Sequence, residues 1–201
     1  MRHPAVLSAD GRGAETAAAV MGRAILAAFL VCAFETGTSV AAQNNGAGPV
    51  IVVETSKGTF SFETYPNEAP KTVAHVVELV KRGFYDGQRF HRAVPGFVIQ
   101  WGDPQSQDMT KESDWGRGAA ASSGKPIGAA EITSKWKHSR GAVAMAHAGD
   151  PRFADSQMYV TLAIRPDLNG KYAVFGHVIS GADIPEKIQR GDVINKMYVM
   201  E

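Results

Sequence analysis

The feature that most limits how this chain can fold is a series of short apolar runs, rich in β-branched residues, with turn residues between them. Residues 50–54 and 59–65 flank Ser56-Lys57-Gly58, which is the pattern of a β-hairpin. Further strand-like runs lie at 90–94, 98–101, 142–145, 158–162, 173–179 and 193–200. Many short strands in one mid-sized domain favour a closed antiparallel barrel, because closure removes the unpaired sheet edges that promote aggregation.

Only two segments have the pattern of a helix. Pro70 suits a first helical position, where its missing N–H needs no partner, and Gly83 provides a stop. Between them valines recur at helical spacing, at positions 73, 76, 77 and 80, so we predict one helix of about 13 residues. A second, shorter helix is predicted at 182–190. The polar, glycine-rich residues 102–128 are predicted to form a long surface loop.

The N-terminal region has the pattern of a secretory signal peptide. Arg23 precedes an uncharged apolar run at 24–34, and the small residues Ala41 and Ala42 follow. A buried core helix is the alternative, but nothing amphipathic flanks the run. We therefore predict an N-terminal extension and signal peptide over 1–42, with the signal itself at 21–42, a flexible spacer at 43–49 and one folded domain at 50–201. The expected location is outside the cytoplasm, either periplasmic or secreted.

Charge and cysteine content exclude several classes of function. Lys and Arg total 21 against 20 acidic residues, so there is no strong positive field and we expect no nucleic-acid partner. No apolar run approaches the ~20 residues that span a bilayer, so a multi-pass membrane protein is excluded. No stable membrane insertion is expected after signal cleavage. The only cysteine, Cys32, lies in the leader, which excludes a disulfide framework and a cysteine-based zinc site in the mature chain.

The middle of the chain carries a series of ordered motifs. Residues 90–103 read FHRAVPGFVIQWGD, and EAPKTV at 68–73 and GFYDG at 83–87 precede them. MAHAG at 145–149, SQMYV at 156–160 and LNGKYAVFG at 168–176 follow in order. Together these blocks resemble the cyclophilin family of peptidyl-prolyl cis–trans isomerases over about residues 50–200. The resemblance implies an all-β-dominated fold, a closed eight-stranded antiparallel β-barrel capped by two α-helices.

The resemblance also implies a reaction, rotation about an X–Pro peptide bond. The barrier is about 18–20 kcal/mol because amide resonance is broken, and the uncatalysed step takes tens to hundreds of seconds. No bond is made, so no nucleophile, metal or cofactor is required. The mature histidines show neither HExxH nor close pairing, which gives no reason to expect a metal site. The expected partners are proline-containing polypeptides, and the protein is expected to be a monomer.

The catalytic residues implied by the resemblance are Arg92 and Gln100. At the twisted state the prolyl nitrogen becomes pyramidal and gains a lone pair, which a guanidinium can stabilise. Arginine suits this role because it stays charged and offers a rigid fork of donors. Gln100, together with Gln157, is expected to bind the substrate backbone and to orient Arg92.

The remaining site residues are implied by matching family positions. Phe97, Val98, Tyr159 and Leu168 are expected to line the proline pocket. Tyr172 is expected at its rim. Substrate is expected to lie extended along Ala146, His147 and Ala148, pairing backbone to backbone.

Several positions depart from the usual family residues. Val98 stands where methionine is common, and Trp101 replaces a usual glycine and is expected to pack in the core. Tyr159 replaces phenylalanine, so its added hydroxyl is expected to point toward water or a partner. His147 replaces asparagine at a position expected to act through its backbone. Asp167 stands where many eukaryotic members carry a tryptophan important for cyclosporin binding, so we expect weak cyclosporin affinity.

Two other functions remain open from the sequence alone. The same groove could serve a proline-peptide binding or chaperone-like module with little turnover, although a pure binder has less need of Arg92. A barrel that binds a small ligand would need a hollow apolar interior, whereas the many bulky strand residues favour a filled one. A serine hydrolase is not favoured, because no nucleophile elbow of the GxSxG type is present.

Overall fold

The computed structural model describes residues 48–117 and 122–201. The predicted leader at 1–42 and most of the predicted spacer lie outside these residues. The eight strands are β1 Val50–Thr55, β2 Gly58–Thr64, β3 Arg92–Val94, β4 Val98–Trp101, β5 Ala142–Met145, β6 Met158–Thr161, β7 Val174–Ser180 and β8 Ile194–Val199. The helices are α1 Pro70–Lys81 and α2 Ile184–Lys187. In the described part of the chain, no helix has the length and apolar character needed to cross a membrane.

The strands form a single antiparallel sheet in the order β3-β4-β6-β5-β7-β2-β1-β8. The sheet curls until the segment before β3 meets β8. There Arg89 and Val193 form an isolated bridge, flanked by backbone hydrogen bonds from Phe90 N to Asp192 O and from Ile194 N to Gln88 O. The predicted eight-stranded antiparallel architecture is confirmed, and its seam is this short contact rather than a regular ladder between β3 and β8.

The second helix is much shorter than predicted. It covers four residues, Ile184–Lys187, instead of 182–190. The chain turns to an extended conformation at Ile188, whose side chain is buried against the main core. Burial of this one apolar side chain therefore ends the helix before the periodic pattern does.

Side chains alternate between the two faces of the central strands. On β4, Ile99 and Trp101 are fully buried in the main core, and Trp101 packs edge-on against Phe60 and Phe90. Val98, between the turn and Ile99, belongs instead to a second, smaller cluster on the other face of the sheet. The sheet therefore separates a filled interior from an outer apolar patch.

Helix α1 packs its apolar face against the barrel core, with Val73, Val76 and Leu79 buried. Ala69 at its N-terminus offers no side-chain cap. The Glu131 carboxylate supplies one from a distant loop, accepting hydrogen bonds from the backbone N of Lys71 at 3.0 Å and of Thr72 at 2.8 Å. A remote residue thus satisfies donors that the local sequence leaves unpaired.

The predicted loop over 102–128 is more ordered in its first half than its composition indicates. It contains two 3₁₀ segments, Pro104–Gln107 and Met109–Asp114. The fully buried Asp103 carboxylate accepts hydrogen bonds from Gln105 N at 3.0 Å and from Gly116 N at 2.7 Å. One buried carboxylate therefore ties the start of this loop to Gly116, 13 residues later.

Gly102 allows the loop to leave β4 in close contact with the segment before β6. Its φ is +107°, and a Cβ atom there would lie 2.2 Å from the carbonyl oxygen of Ser156. Gly149 has nearly the same φ, +104°, but a Cβ atom there would meet nothing within 4 Å. A substitution at Gly149 therefore tests the cost of the backbone conformation alone. A substitution at Gly102 tests that cost together with the close approach.

Gly102→Ala should destabilise the protein far more than Gly149→Ala. A positive φ costs an alanine about 1–2 kcal/mol at either position. At position 102 the clash with backbone atoms adds about 1–3 kcal/mol. Urea denaturation of both variants measures the difference, and equal free energies of unfolding would contradict the close approach.

Candidate active site

A row of predicted site residues crosses neighbouring strands on the outer face of the sheet. The register pairs Arg92 on β3 with Gln100 on β4, and Gln100 with Tyr159 on β6. Tyr159 pairs in turn with Ala144 on β5. Because directly opposed residues place their side chains on the same face, this register brings Arg92, Gln100 and Tyr159 together.

Nine of the predicted residues line one cavity of about 210 Å³ beside this row: Arg92, Phe97, Val98, Gln100, Ala146, His147, Tyr159, Leu168 and Tyr172. Val98 and Tyr159 are almost fully buried and form its floor. Phe97 comes from the turn between β3 and β4, whereas Leu168 and Tyr172 come from the loop between β6 and β7. The cavity thus combines an apolar floor with polar side chains at its rim, one of them a cation.

The other two predicted residues, Ala148 and Gln157, line an adjoining cavity of about 180 Å³. Gln100, Ala146 and His147 border both cavities, so the two form a continuous groove. Phe153 and Gly116 also line the second cavity. Neither residue was predicted from the sequence, because neither lies in a recognisable block and both are brought in by loops.

Arg92 is exposed, and its guanidinium carbon lies 5.2 Å from the centroid of the Phe97 ring. Arg165 lies over the same ring at 3.8 Å and forms a two-bond ion pair with Asp167. Among residues 48–117 and 122–201, the Arg92 guanidinium has no hydrogen-bond or ion-pair partner. Its donors are therefore available to a molecule in the pocket.

The two glutamines contact each other rather than Arg92. Gln100 Nε2 donates to Gln157 Oε1 at 2.9 Å, and Gln157 Nε2 lies 3.5 Å from the Gly116 carbonyl oxygen. Within the described residues neither amide donates to or accepts from Arg92. No hydrogen bond therefore supports the predicted orienting role in this structure. The pair instead links β4 to Gly116 in the loop that follows this strand.

His147 is fixed at the rim of the pocket by its side chain as well as its backbone. Its Nε2 lies 2.9 Å from the Lys171 carbonyl oxygen, which can only accept, so this nitrogen carries the proton. Its ring lies 4.6 Å from that of Tyr172, centroid to centroid. The neighbouring Ala146 N donates to Gln157 O at 2.9 Å. The histidine therefore joins the two loops that border the pocket.

The hydroxyl of Tyr159 has a partner inside the protein. It lies 3.0 Å from Nε2 of His138, a residue that is only 1% exposed. Burial raises the pKa of Tyr159, so the phenol keeps its proton. Nothing in the family-like blocks indicated this contact, because His138 lies outside them.

A buried histidine lies directly before the arginine in the chain. Burial is the main cause that lowers the pKa of His91 to about 4, and the positive charges of Arg190 and Arg92 add to it, while Asp103 opposes them. His91 is therefore neutral near pH 7. A second positive charge does not compete with Arg92 at the pocket edge.

The described part of the chain contains no group of three or more His, Cys, Asp or Glu side chains arranged to hold a metal ion. The arrangement instead offers a pocket with an apolar floor, a groove bordered by backbone and amide groups, and an unpaired guanidinium. Such a site can bind a peptide with a small apolar ring and can stabilise a developing lone pair.

Comparison with known proteins agrees with this geometry. Residues 50–200 match the family described as cyclophilin type peptidyl-prolyl cis-trans isomerase/CLD. A probable peptidyl-prolyl cis-trans isomerase of Brucella abortus is 37% identical over 169 residues, 84% of this chain and 86% of its own. Peptidyl-prolyl cis-trans isomerase CYP18-2 of Arabidopsis thaliana is 36% identical over 150 residues, 74% of this chain and 85% of its own.

Solved structures show the same fold. The crystal structure of a Cryptosporidium parvum cyclophilin type peptidyl-prolyl cis-trans isomerase superposes with a TM-score of 0.65 at 27% identity, covering 76% of this chain and 98% of its own. A second structure of that protein, obtained in the presence of the dipeptide Ala-Pro, gives a TM-score of 0.64. The sequence match over the whole domain and the shared barrel therefore lead to one conclusion: this chain belongs to the cyclophilin family and is a peptidyl-prolyl cis–trans isomerase.

Proposed function

We propose that this isomerase acts at the pocket beside Arg92, on proline-containing segments of unfolded or flexible polypeptides outside the cytoplasm, and so assists their folding. The observation that carries the proposal is the pocket itself, a cavity of about 210 Å³ in which an unpaired guanidinium borders an apolar floor. The protein works as a monomer and does not stay inserted in a membrane once its leader is removed.

In this proposal the prolyl ring enters the pocket and contacts Val98, Tyr159 and Leu168, which exclude water from the bond that rotates. Arg92 donates to the prolyl nitrogen as it becomes pyramidal. One charge-assisted hydrogen bond is worth about 1.5–3 kcal/mol, which is one to two decades in rate. Desolvation and binding of a twisted peptide supply the remaining acceleration.

The groove next to the pocket holds the peptide on either side of the proline. Its floor is the paired amides of Gln100 and Gln157, and one border is the chain from Ala146 to Ala148. An extended peptide can pair with that border as an added strand does. Holding both flanks leaves the X–Pro bond as the only free rotation, which favours catalysis over simple binding.

Arg92→Ala should lower kcat/KM at least about tenfold, because it removes the donor to the prolyl nitrogen. The kcat/KM of Arg92→Lys should lie between those of the wild type and Arg92→Ala, since lysine keeps the charge but not the fork of donors. The rate is measured by NMR exchange in a short Ala-Pro-Phe peptide with the purified protein. Arg140→Ala is the control, because Arg140 pairs with Glu186 on an exposed surface outside the pocket.

Equal rates for the wild type and Arg92→Ala would show that the arginine is assigned to the wrong role. Peptide binding without any acceleration by the wild type would favour the binding module over the isomerase at this groove.

Export of the protein is proposed from the leader alone. The order of Arg23, the apolar run at 24–34 and the small residues up to Ala42 predicts cleavage after Ala42. Mass spectrometry of the protein recovered outside the cytoplasm should then find an N-terminus at Gln43. Ala42→Trp should block processing, whereas Ala41→Trp should not, because the middle position of the cleavage motif is not restricted to small residues. A full-length chain confined to the cytosol would contradict this proposal.

Cyclosporin should inhibit the enzyme only weakly. The rim position that carries tryptophan in many eukaryotic members is Asp167 here, and its carboxylate is held by Arg165. Asp167→Trp should strengthen inhibition, whereas Asp167→Ala, which also breaks the ion pair, should not. Inhibition of turnover by titrated cyclosporin measures both, and sub-micromolar inhibition of the wild type would refute the expectation.

A further inference from the structure

Tyr159 adds a phenol hydroxyl to the floor of the pocket, where the proposed function places an apolar prolyl ring. The structure places that hydroxyl 3.0 Å from His138 Nε2. On its other side, His138 Nδ1 lies 3.0 Å from Asn169 Oδ1. A chain of hydrogen bonds thus runs from the pocket floor to the loop between β6 and β7.

The direction of every bond in this chain follows from one backbone donor. The His138 backbone N donates to the same Asn169 oxygen at 2.9 Å, so the acceptor end of the Asn169 amide faces the histidine. His138 Nδ1 must then carry the ring proton and donate it to that oxygen. Nε2 is left as an acceptor, and the Tyr159 hydroxyl donates to it.

This arrangement requires a neutral imidazole, and the surroundings favour one. His138 is 1% exposed, and burial lowers its pKa despite the opposing effects of Asn169 and Asp167. The other titratable groups that face it are Tyr159 on β6 and Tyr172 ahead of β7, whose rings lie 6.0 Å and 6.4 Å from the imidazole. Phenols ordinarily carry no charge near neutral pH.

We propose that His138 and Asn169 are positioning residues of the proline pocket, which bind the Tyr159 hydroxyl within the pocket wall so that ring carbons face the prolyl ring. The inference rests on the pocket assigned under the proposed function. Without its acceptor, the Tyr159 hydroxyl would be an unpaired donor on a residue that lines the pocket. An apolar prolyl ring would then bind against an unpaired donor, and KM would rise more than kcat falls.

The test is a double-mutant cycle in the purified protein, with KM and kcat measured on a short Ala-Pro-Phe peptide. His138→Leu removes the acceptor at similar volume, and Tyr159→Phe removes the hydroxyl. With Tyr159 present, His138→Leu should raise KM about tenfold, the effect of one buried donor left unpaired. In the Tyr159→Phe background, the same substitution should change KM less than about twofold, because no hydroxyl remains to be misplaced. A purely structural role for His138 would give equal losses in both backgrounds and would overturn the proposal.

A second measurement needs no substitution of His138. Because burial lowers the pKa of His138, Nε2 gains a proton only as the pH falls below the ordinary histidine value of about 6.5, and that proton removes the acceptor. The KM of the wild type should rise as the pH falls in this way relative to that of Tyr159→Phe, because both proteins share every other titrating group. Parallel pH profiles would overturn the proposal. A wild type with no turnover at any pH would instead refute the assignment of the pocket.

Discussion

The two-residue period of the strands is the constraint on which the rest of this molecule depends. On β4 and β6, one set of side chains (Ile99, Trp101 and Val160) fills the barrel, and the intervening set (Val98, Gln100 and Tyr159) builds the site. A slip of one residue in the pairing would exchange the two sets. The core and the site therefore specify the same register, and a packed interior leaves the outer face as the place where a ligand can bind.

Elements and site residues were predictable where their signal is local. The strands and α1 lie within a residue or two of their predicted bounds, since periodicity and turn residues mark them directly. The ordered sequence blocks likewise indicated the residues that line the groove. Hydrogen bonds between residues far apart in the chain could not be predicted. Examples are the bond from Gly116 N to Asp103 and the bond from Gln100 to Gln157. A block of sequence thus indicates which residues meet a substrate, whereas the structure shows what holds each of them in place.

The charges near the pocket are arranged so that one guanidinium stays unpaired among the residues that the structure describes. Arg165 shares the Phe97 ring with Arg92 but is bound to Asp167, and buried His91 is neutral near pH 7. An arginine whose charge does not change and which has no competing anion keeps its donors available over a wide pH range. The role proposed for Arg92 requires only that its charge and its donors stay available, because no proton is transferred.

The seam of the barrel lies next to the strand that carries Arg92. Arg92 lies on β3, a strand of three residues that pairs only with β4, and just before it the barrel is joined by an isolated bridge with a few flanking backbone hydrogen bonds. Segments with few backbone hydrogen bonds open locally at the lowest free energy. The amide hydrogens of β3 should therefore exchange with solvent before those of the long β1–β2 ladder. Arg92, the proposed donor to the prolyl nitrogen, therefore lies on a strand that we expect to open more readily than the long ladder opposite it.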